Sequence, residues 1–418
     1  MERWGKTHWG LFAVVSASFF LDGVLFSLVP VTIYLIQPHL ASYVFAANSL
    51  AFMAGAFAFG KVTDVVGRRL GLILSLLTYT VGSILFVSFY WGGLLTFGTL
   101  VLLTSVINFG VGGEVGPSYA AMAELSPPRL RGRALMLATN FWNIGAAIIA
   151  GLSLWYKSLA EEPDVAVFYT FLTAIALATV VFMARLHLPE SPRWLVTAGR
   201  RAEAETLLRK MGMSEMPIEG AVGLKEALRR HLFRLAVLLM VTSTQLATYN
   251  IAAYYSPYAE GFPLGVETAP VIVAVANLGA SIGAFLLIPA IDKSRRFALL
   301  SSYVGGLATA LLLATMPGGL SLYLSILFSN LVFSEWAWAS LSVLESELFP
   351  TGVRASVVGL VTATAWLINT SLVLAEAFLT AGQFLAINAV LWLLGLTAAL
   401  AWASRGVESA RRRLEELY

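Results

Sequence analysis

The chain reads as an all-α integral membrane protein, with twelve membrane-crossing helices in two pseudo-symmetric six-helix bundles. Three observations carry this reading. Of 418 residues, 58% are apolar and only 12% are charged, where a soluble protein carries about 25% charged residues; mean hydropathy is +0.79. Apolar runs of roughly 20 residues, the length that crosses a bilayer, recur from end to end. Of the 27 Lys and Arg, 26 fall in connections on one side of these runs and only Lys157 on the other, the asymmetry of basic cytoplasmic loops.

The spans run near 10–36, 43–60, 70–90, 94–123, 134–156, 165–186, 235–257, 268–290, 297–315, 319–345, 355–380 and 382–403. The expected organisation is a first six-helix bundle over 1–187, a cytoplasmic linker over 188–233, a second bundle over 234–404 and a cytoplasmic tail over 405–418. The linker is the longest polar stretch, with amphipathic helices expected at Arg201–Met211 and Glu219–His231. Arg3 and Lys6 precede a long first span with no small-residue cleavage site, which reads as an uncleaved helix rather than a signal peptide. Lys157 lies among Glu161, Glu162 and Asp164, so both termini are expected in the cytoplasm, with the chain in the plasma membrane. The net charge of +3 reflects basic loops facing anionic lipid and is too dilute for nucleic-acid binding. Cysteine is absent, which removes disulfides, thiolate metal sites and cysteine catalysis.

The two halves repeat. Asp64-Val-Val-Gly-Arg68-Arg69 follows the second span and Asp292-Lys-Ser-Arg295-Arg296 the eighth; 292 minus 64 and 296 minus 68 both give 228. Glu124-Leu-Ser-Pro127-Pro-Arg-Leu-Arg131 follows the fourth span and Glu347-Leu-Phe-Pro350-Thr-Gly-Val-Arg354 the tenth, with an offset of 223 for Glu, Pro and Arg alike. A duplicated six-helix unit places a solute site near the midplane, between the halves.

These residues resemble the major facilitator superfamily over essentially the whole chain. Gly60-Lys-Val-Thr-Asp64-Val-Val-Gly67-Arg68-Arg69 is similar to its signature loop. Glu124 through Arg133 and Pro189-Glu190-Ser191-Pro192-Arg193-Trp194-Leu195 resemble sugar porters, metabolite–proton symporters and organic cation transporters. Gln245-Leu-Ala-Thr-Tyr249-Asn250-Ile-Ala-Ala-Tyr254-Tyr255 resembles the sugar-porter helix 7 pattern, whose Gln and Asn bind sugar hydroxyls. Two departures weaken a sugar assignment. Proton-coupled sugar porters pair an Asp in helix 1 with an Arg in helix 4; Asp22 is present, but Val101–Phe109 holds no Arg, and Gly112-Gly113-Glu114 resembles a metabolite–proton symporter element instead. The helix 5 glutamines are also missing, leaving Thr139, Asn140 and Asn143.

A charge in a bilayer core is expensive, so an intramembrane acid is a functional candidate. Asp22 lies halfway along the first span, and Glu114 lies ten residues before Glu124, about 15 Å into the membrane at 1.5 Å per residue. Both are candidates for proton coupling; the alternative is a structural acid satisfied by neighbouring polar groups. Gln245, Asn250, Tyr249 and Tyr254 are candidate solute contacts, with Gln245 and Tyr249, and likewise Asn250 and Tyr254, four apart and able to share a face. Asn250 corresponds to Asp22 by the offset of 228. Glu335 with Trp336 and Trp338 could offer stacking surfaces to a sugar ring or a cation, against packing as the plainer reading. Asn140, Asn143 and Asn369 are further candidates, and Glu376 reads as an entrance residue.

A separate set at the span ends, Asp64, Arg68, Arg69, Glu124, Arg131, Glu190, Arg193, Asp292, Arg296, Glu347 and Arg354, suits ion-pair latches that break on rocking. The bare alternative is a topology signal. Catalysis has no support: His8, His39, His187 and His231 lie in loops or at span ends, and neither cofactor nor metal motif occurs. The expected protein is a monomeric secondary transporter of a small neutral polar or cationic solute, sugar-like by the helix 7 pattern. Proton coupling is the favoured mechanism, with an uncoupled facilitator or a cation exporter as alternatives. The exclusion of anions rests on the absence of any Lys or Arg mid-span.

Overall fold

The computed structural model describes residues 4–36, 41–159, 163–211, 222–265, 268–375 and 378–418. Arg3, His39, Glu161, Glu162, Glu219 and Glu376 lie outside these residues. Among the described residues, twelve helices are long and apolar enough to cross a membrane. They are α1 (Lys6–Ile36), α2 (Ala41–Val66), α3 (Arg68–Trp91), α4 (Phe97–Leu125), α5 (Arg131–Leu159) and α6 (Pro163–Arg185), then α10 (Leu232–Asn250), α11 (Ala269–Ile291), α12 (Arg295–Ala314), α13 (Leu320–Glu347), α14 (Arg354–Ala375) and α15 (Ala381–Arg405). Short helices α7 (Pro192–Thr197), α8 (Arg201–Met211) and α9 (Leu224–Arg230) lie between the two sets. Among the described residues the only β pairing is an isolated bridge between Glu260 and Thr380.

Helix ends are set by local chemistry. Thr96 and Thr99 form a reciprocal capping box at the start of α4, and Thr380 and Gln383 do the same for α15. Each box satisfies two amide donors that have no intrahelical acceptor. Beyond Asn250, α10 widens into a π-helical turn over Ile251–Tyr255.

The chain divides into two compact units, each built on six spans. One comprises Met1–Pro127, Ala138–Ala227 and Phe349–Ala363; the other comprises Pro128–Leu137, Leu228–Leu348 and Thr364–Tyr418. Each unit therefore contains the first turns of one span from the opposite half of the sequence: α14 in the first, α5 in the second. Leu102, Val180, Phe285, Val304 and Leu393 are more than half exposed, as expected of side chains that face lipid rather than water.

Within the first unit, helices meet through glycine. A Cβ on Gly112 would stand 2.1 Å from the Phe52 carbonyl oxygen, and one on Gly55 would stand 1.9 Å from that of Phe109. The contact between α2 and α4 is thus backbone on backbone, the close approach that small residues permit where apolar lipid gives helices no hydrophobic reason to associate. Gly112→Val should force α4 from α2 and lower the melting temperature of the purified protein, an overpacking cost of at least about 1–3 kcal/mol. Gly151→Ala, where a Cβ meets nothing within 4 Å, should leave it unchanged; equal melting curves for the two variants would refute the packing account.

Candidate functional site

Asp22 on α1 is fully buried, and apart from the neighbouring Glu114 carboxyl neither of its oxygens has a hydrogen-bond partner. Its charged neighbours are Glu114 and Arg185. Glu114 on α4 is also fully buried; it accepts from the Tyr79 hydroxyl of α3 at 3.1 Å and is ion-paired with Arg185. Arg185, the last residue of α6, has no exposed surface and also donates to Ser18 Oγ at 2.7 Å and to the Leu72 carbonyl. Four helices thus bring two acids, one base and a phenol together in the apolar interior of the first unit.

This corrects the expectation of acids with no buried base. Arg185 was placed with the basic loops because it ends an apolar span. A long side chain at a helix end can turn either way, and here it turns inward, where the ion pair with Glu114 offsets the cost of burying its charge. Tyr79 and Ser18 were also missed. Each stands in an apolar stretch, where a hydroxyl has no periodicity to distinguish function from helix packing.

Also in this unit, Asn140 and Asn143 are buried on α5, with the Asn143 amide donating to Asn140 Oδ1 at 3.2 Å. In the second unit, Gln245 donates to Ser334 Oγ at 3.2 Å, while its Oε1 has no donor. The Tyr249 hydroxyl donates to Asn277 Oδ1 at 3.0 Å, and Asn277 Nδ2 donates to the Tyr254 hydroxyl at 3.1 Å. Residues five apart stand about 140° apart on an α-helix; the π-helical turn brings Tyr249 and Tyr254 round to one asparagine. The expected partnership of Asn250 with Tyr254 therefore gives way to Tyr249 with Tyr254. Asn250 is buried and donates to the Leu246 carbonyl at 2.8 Å.

Glu335 is buried near Tyr249. Trp336 donates its indole N–H to the Gly283 carbonyl at 2.9 Å and packs against α11. Trp338 is half-buried. Asn369 is fully buried, accepts from the Tyr255 hydroxyl at 3.1 Å and has an amide nitrogen without an acceptor. Asn277 was missed because an isolated polar residue in the largely apolar run of α11 gives no pattern.

The span-end charges form two matching networks. In the first unit, Arg68 grips Glu124 with two bonds, 3.0 and 2.8 Å, and reaches Asp64 at 3.1 Å; Arg354 pairs with the same Glu124. Asp64 accepts the backbone N–H groups of Ala355 and Ser356, so it caps α14. Glu190 accepts those of Arg68 and Arg69 and caps α3, while the Arg69 guanidinium donates to the Leu186 carbonyl. Gly67, at φ +102°, joins α2 to α3 where a Cβ would strike Glu190; a side chain fails there on both counts.

In the second unit, Glu347 accepts from Arg131 and Arg295, both at 3.2 Å. Asp292 accepts from Arg133 at the start of α5 and from Arg295. Glu408 caps α12 through the backbone N–H groups of Arg295 and Arg296. The counterpart of Arg68 is therefore Arg295. Arg296, chosen by the offset of 228, instead donates to the Gly406 carbonyl as Arg69 does to that of Leu186. The connection after Asp292 is one residue shorter than that after Asp64, which slips the register by one. Glu408 was missed, although Glu190-Ser191-Pro192-Arg193 and Glu408-Ser409-Ala410-Arg411 share a spacing. The two serines match in function as well: Ser191 bonds to Glu124 and Ser409 to Glu347.

The two capping acids differ in ionisation. Burial pushes the Glu190 carboxyl up, more than the amides of Ser191, Arg68 and Arg69 and the Arg68 charge pull it down. For Glu408, burial also acts upward, but the Ser294 hydroxyl and the amides of Arg295, Ala410 and Arg296 outweigh it and hold the carboxyl below its usual range. A depressed acid contributes stability above its unfolded pKa of about 4.3 and loses it as pH falls through the folded value. Glu408→Gln should therefore cost roughly 1 kcal/mol near neutral pH, and the gap from wild type should close as melting is measured at progressively more acidic pH. A gap independent of pH would exclude the charged cap. Glu124→Gln, which strands two buried guanidinium groups, should cost about 3–5 kcal/mol in the same assay; a loss under 1 kcal/mol would mean Arg68 and Arg354 find other partners.

The family model described as "Sugar (and other) transporter" matches residues 35–416. The chain is 27% identical to the inner membrane metabolite transport protein YgcS of Escherichia coli, over 78% of this chain and 74% of that protein. It is 26% identical to the putative niacin/nicotinamide transporter NiaP of Bacillus subtilis, over 77% and 74%. Its fold is similar to that of the proton:xylose symporter XylE bound to 6-bromo-6-deoxy-D-glucose, with a TM-score of 0.81, 18% identity and 98% of each chain covered. The chain belongs to the sugar (and other) transporter family of the major facilitator superfamily, and is a secondary transporter of small organic solutes rather than an enzyme.

Proposed function

We propose that this transporter couples solute movement to protons through Asp22 and Glu114. The observation that carries the reading is the buried cluster of two carboxyls served by the single guanidinium of Arg185. With both acids ionised the cluster is negative; with one proton it is neutral. In an apolar interior that difference is large enough to favour one arrangement of helices over another. Arg185, held by Glu114, Ser18 and Leu72, has little capacity left to receive an anion, so a neutral polar or cationic solute remains the better fit.

Gln245 Oε1 and Asn369 Nδ2, both buried and without protein partners, offer an acceptor and a donor to such a solute. The Tyr249–Asn277–Tyr254 group, Glu335 and Trp338 supply further contacts within the same unit; in the first unit, Asn140 and Asn143 are candidate solute contacts in their own right. A sugar or polyol agrees with the helix 7 pattern. The two span-end networks act as latches that break and reform during alternating access, on the face that the charge asymmetry assigns to the cytoplasm of a plasma-membrane protein.

The test is uptake into proteoliposomes under an imposed pH gradient, with pooled neutral sugars against pooled organic cations. Wild type should accumulate one pool only with the gradient, and Asp22→Asn should equilibrate that pool without accumulating it. Gradient-independent uptake, unchanged in the variant, would make the protein a facilitator and Asp22 structural.

A further inference from the structure

A further intramembrane acid, beyond Asp22, Glu114 and Glu335, stands apart from both networks. Glu345 on α13 is 1% exposed, and its hydrogen-bond partner is the Thr242 hydroxyl of α10, at 2.6 Å. Among the described residues no Lys or Arg forms an ion pair with it. On α10, α11 and α12, the helices against which α13 mainly packs, the charged groups near it are engaged elsewhere. α11 has no ionisable side chain. On α12, Arg295 is held by Glu347 and Asp292, Arg296 donates to the Gly406 carbonyl, and the Tyr303 hydroxyl donates to the Val241 carbonyl at 2.6 Å. On α10, Arg234 donates to the carbonyls of Leu348 and Leu417. On α13 itself, Glu347 is two residues away, about 200° round the helix, and faces Arg131 and Arg295.

An ionised carboxylate needs several donors or a cation to offset its burial, and one neutral hydroxyl is far short of that. A neutral carboxylic acid has one O–H to donate and oxygens to accept with, so a single hydroxyl serves it well. Position also permits exchange. Glu345 lies in the last turn of α13, about 3 Å along the helix axis from its final residue Glu347, so a proton has little of the span to cross. Nothing in the Arg68–Glu124 or Arg295–Glu347 networks requires an acid here, and the matching position of the first half, 223 residues earlier, is Met122.

We propose that Glu345, with Thr242 as its hydrogen-bond partner, is a second exchangeable proton site of this transporter, in the second unit and separate from Asp22 and Glu114. A proton arriving at Glu345 allows the α10–α13 bond to form with no charge in the apolar interior, and its departure leaves a carboxylate that draws this end of α10 or α13 toward water. The second unit then has its own protonation step, independent of which solute is carried and of whether Asp22 couples transport.

The test needs no solute. The full chain is reconstituted in lipid vesicles, and infrared difference spectra are recorded across a bulk pH titration. The wild type should show a protonated-carboxyl C=O stretching band that disappears as pH rises. Glu345→Gln should abolish that band, Thr242→Val should shift its frequency without abolishing it, and Asp22→Asn should leave it in place. A wild-type spectrum from which Glu345→Gln removes no titrating carboxyl component, or a Glu345-dependent component that fails to respond to Thr242→Val or does not titrate with bulk pH, would overturn the proposal; a component lost in Asp22→Asn alone reports on the first unit.

Discussion

A guanidinium or carboxylate inside an apolar helical bundle persists only where its charge is met at close range. That constraint organises the protein. Arg68, Arg131, Arg185, Arg295 and Arg354 are all at or below 1% exposure, and each is tied to a carboxylate. Glu124 and Glu347 each serve two of them. Because one acid bridges two bases from different spans, with Asp64 and Asp292 supplying the second negative charge, the pairs fix how three helix ends meet, and removing any member leaves an uncompensated charge. The capping acids Asp64, Glu190, Asp292 and Glu408 extend the same logic to helix N-termini, whose amide groups and positive dipole ends also seek an anion.

The two networks are alike in role but not in sequence register. Arg68 and Arg295 are equivalent although the connection before Arg295 is a residue shorter. Glu190 and Glu408 are equivalent although one precedes Pro192 and the other Ala410. What the two networks share is which atom reaches which carboxylate. A loop can lose a residue as long as the guanidinium still arrives.

Function divides between groups whose charge is balanced and groups whose charge is not. The span-end arginines are fully answered and therefore suit latches, which must hold firmly in one arrangement and part together in another. Asp22 and Glu345 are not answered. Asp22 shares one base with Glu114, and Glu345 has only a hydroxyl. Such groups change the energy of their surroundings when a proton comes or goes, which is the property a coupled transporter needs. The π-helical turn after Asn250 adds a local departure of another kind, since it brings Tyr249 and Tyr254 to the same asparagine.

The sequence by itself determined the class of the protein. Twelve apolar runs, the 26-to-1 placement of basic residues and the duplicated motifs suffice for that, because lipid forces every spanning segment to be long, apolar and helical. It also marked Asp22 and Glu114, since an acid in an apolar run is conspicuous at any depth. What it could not show is which way a terminal side chain turns. Arg185 looks like a loop charge until α1, α3 and α4 surround it. Arg295 and Arg296 are adjacent arginines until one is buried on Glu347 and the other is half-buried against the Gly406 carbonyl. Glu408 is a tail residue until the start of α12 is found beneath it. Asn277 and Thr242 acquire meaning only from partners on other helices, at separations of 28 and 103 residues. Burial and pairing are properties of several helices at once, and no single stretch of chain contains them.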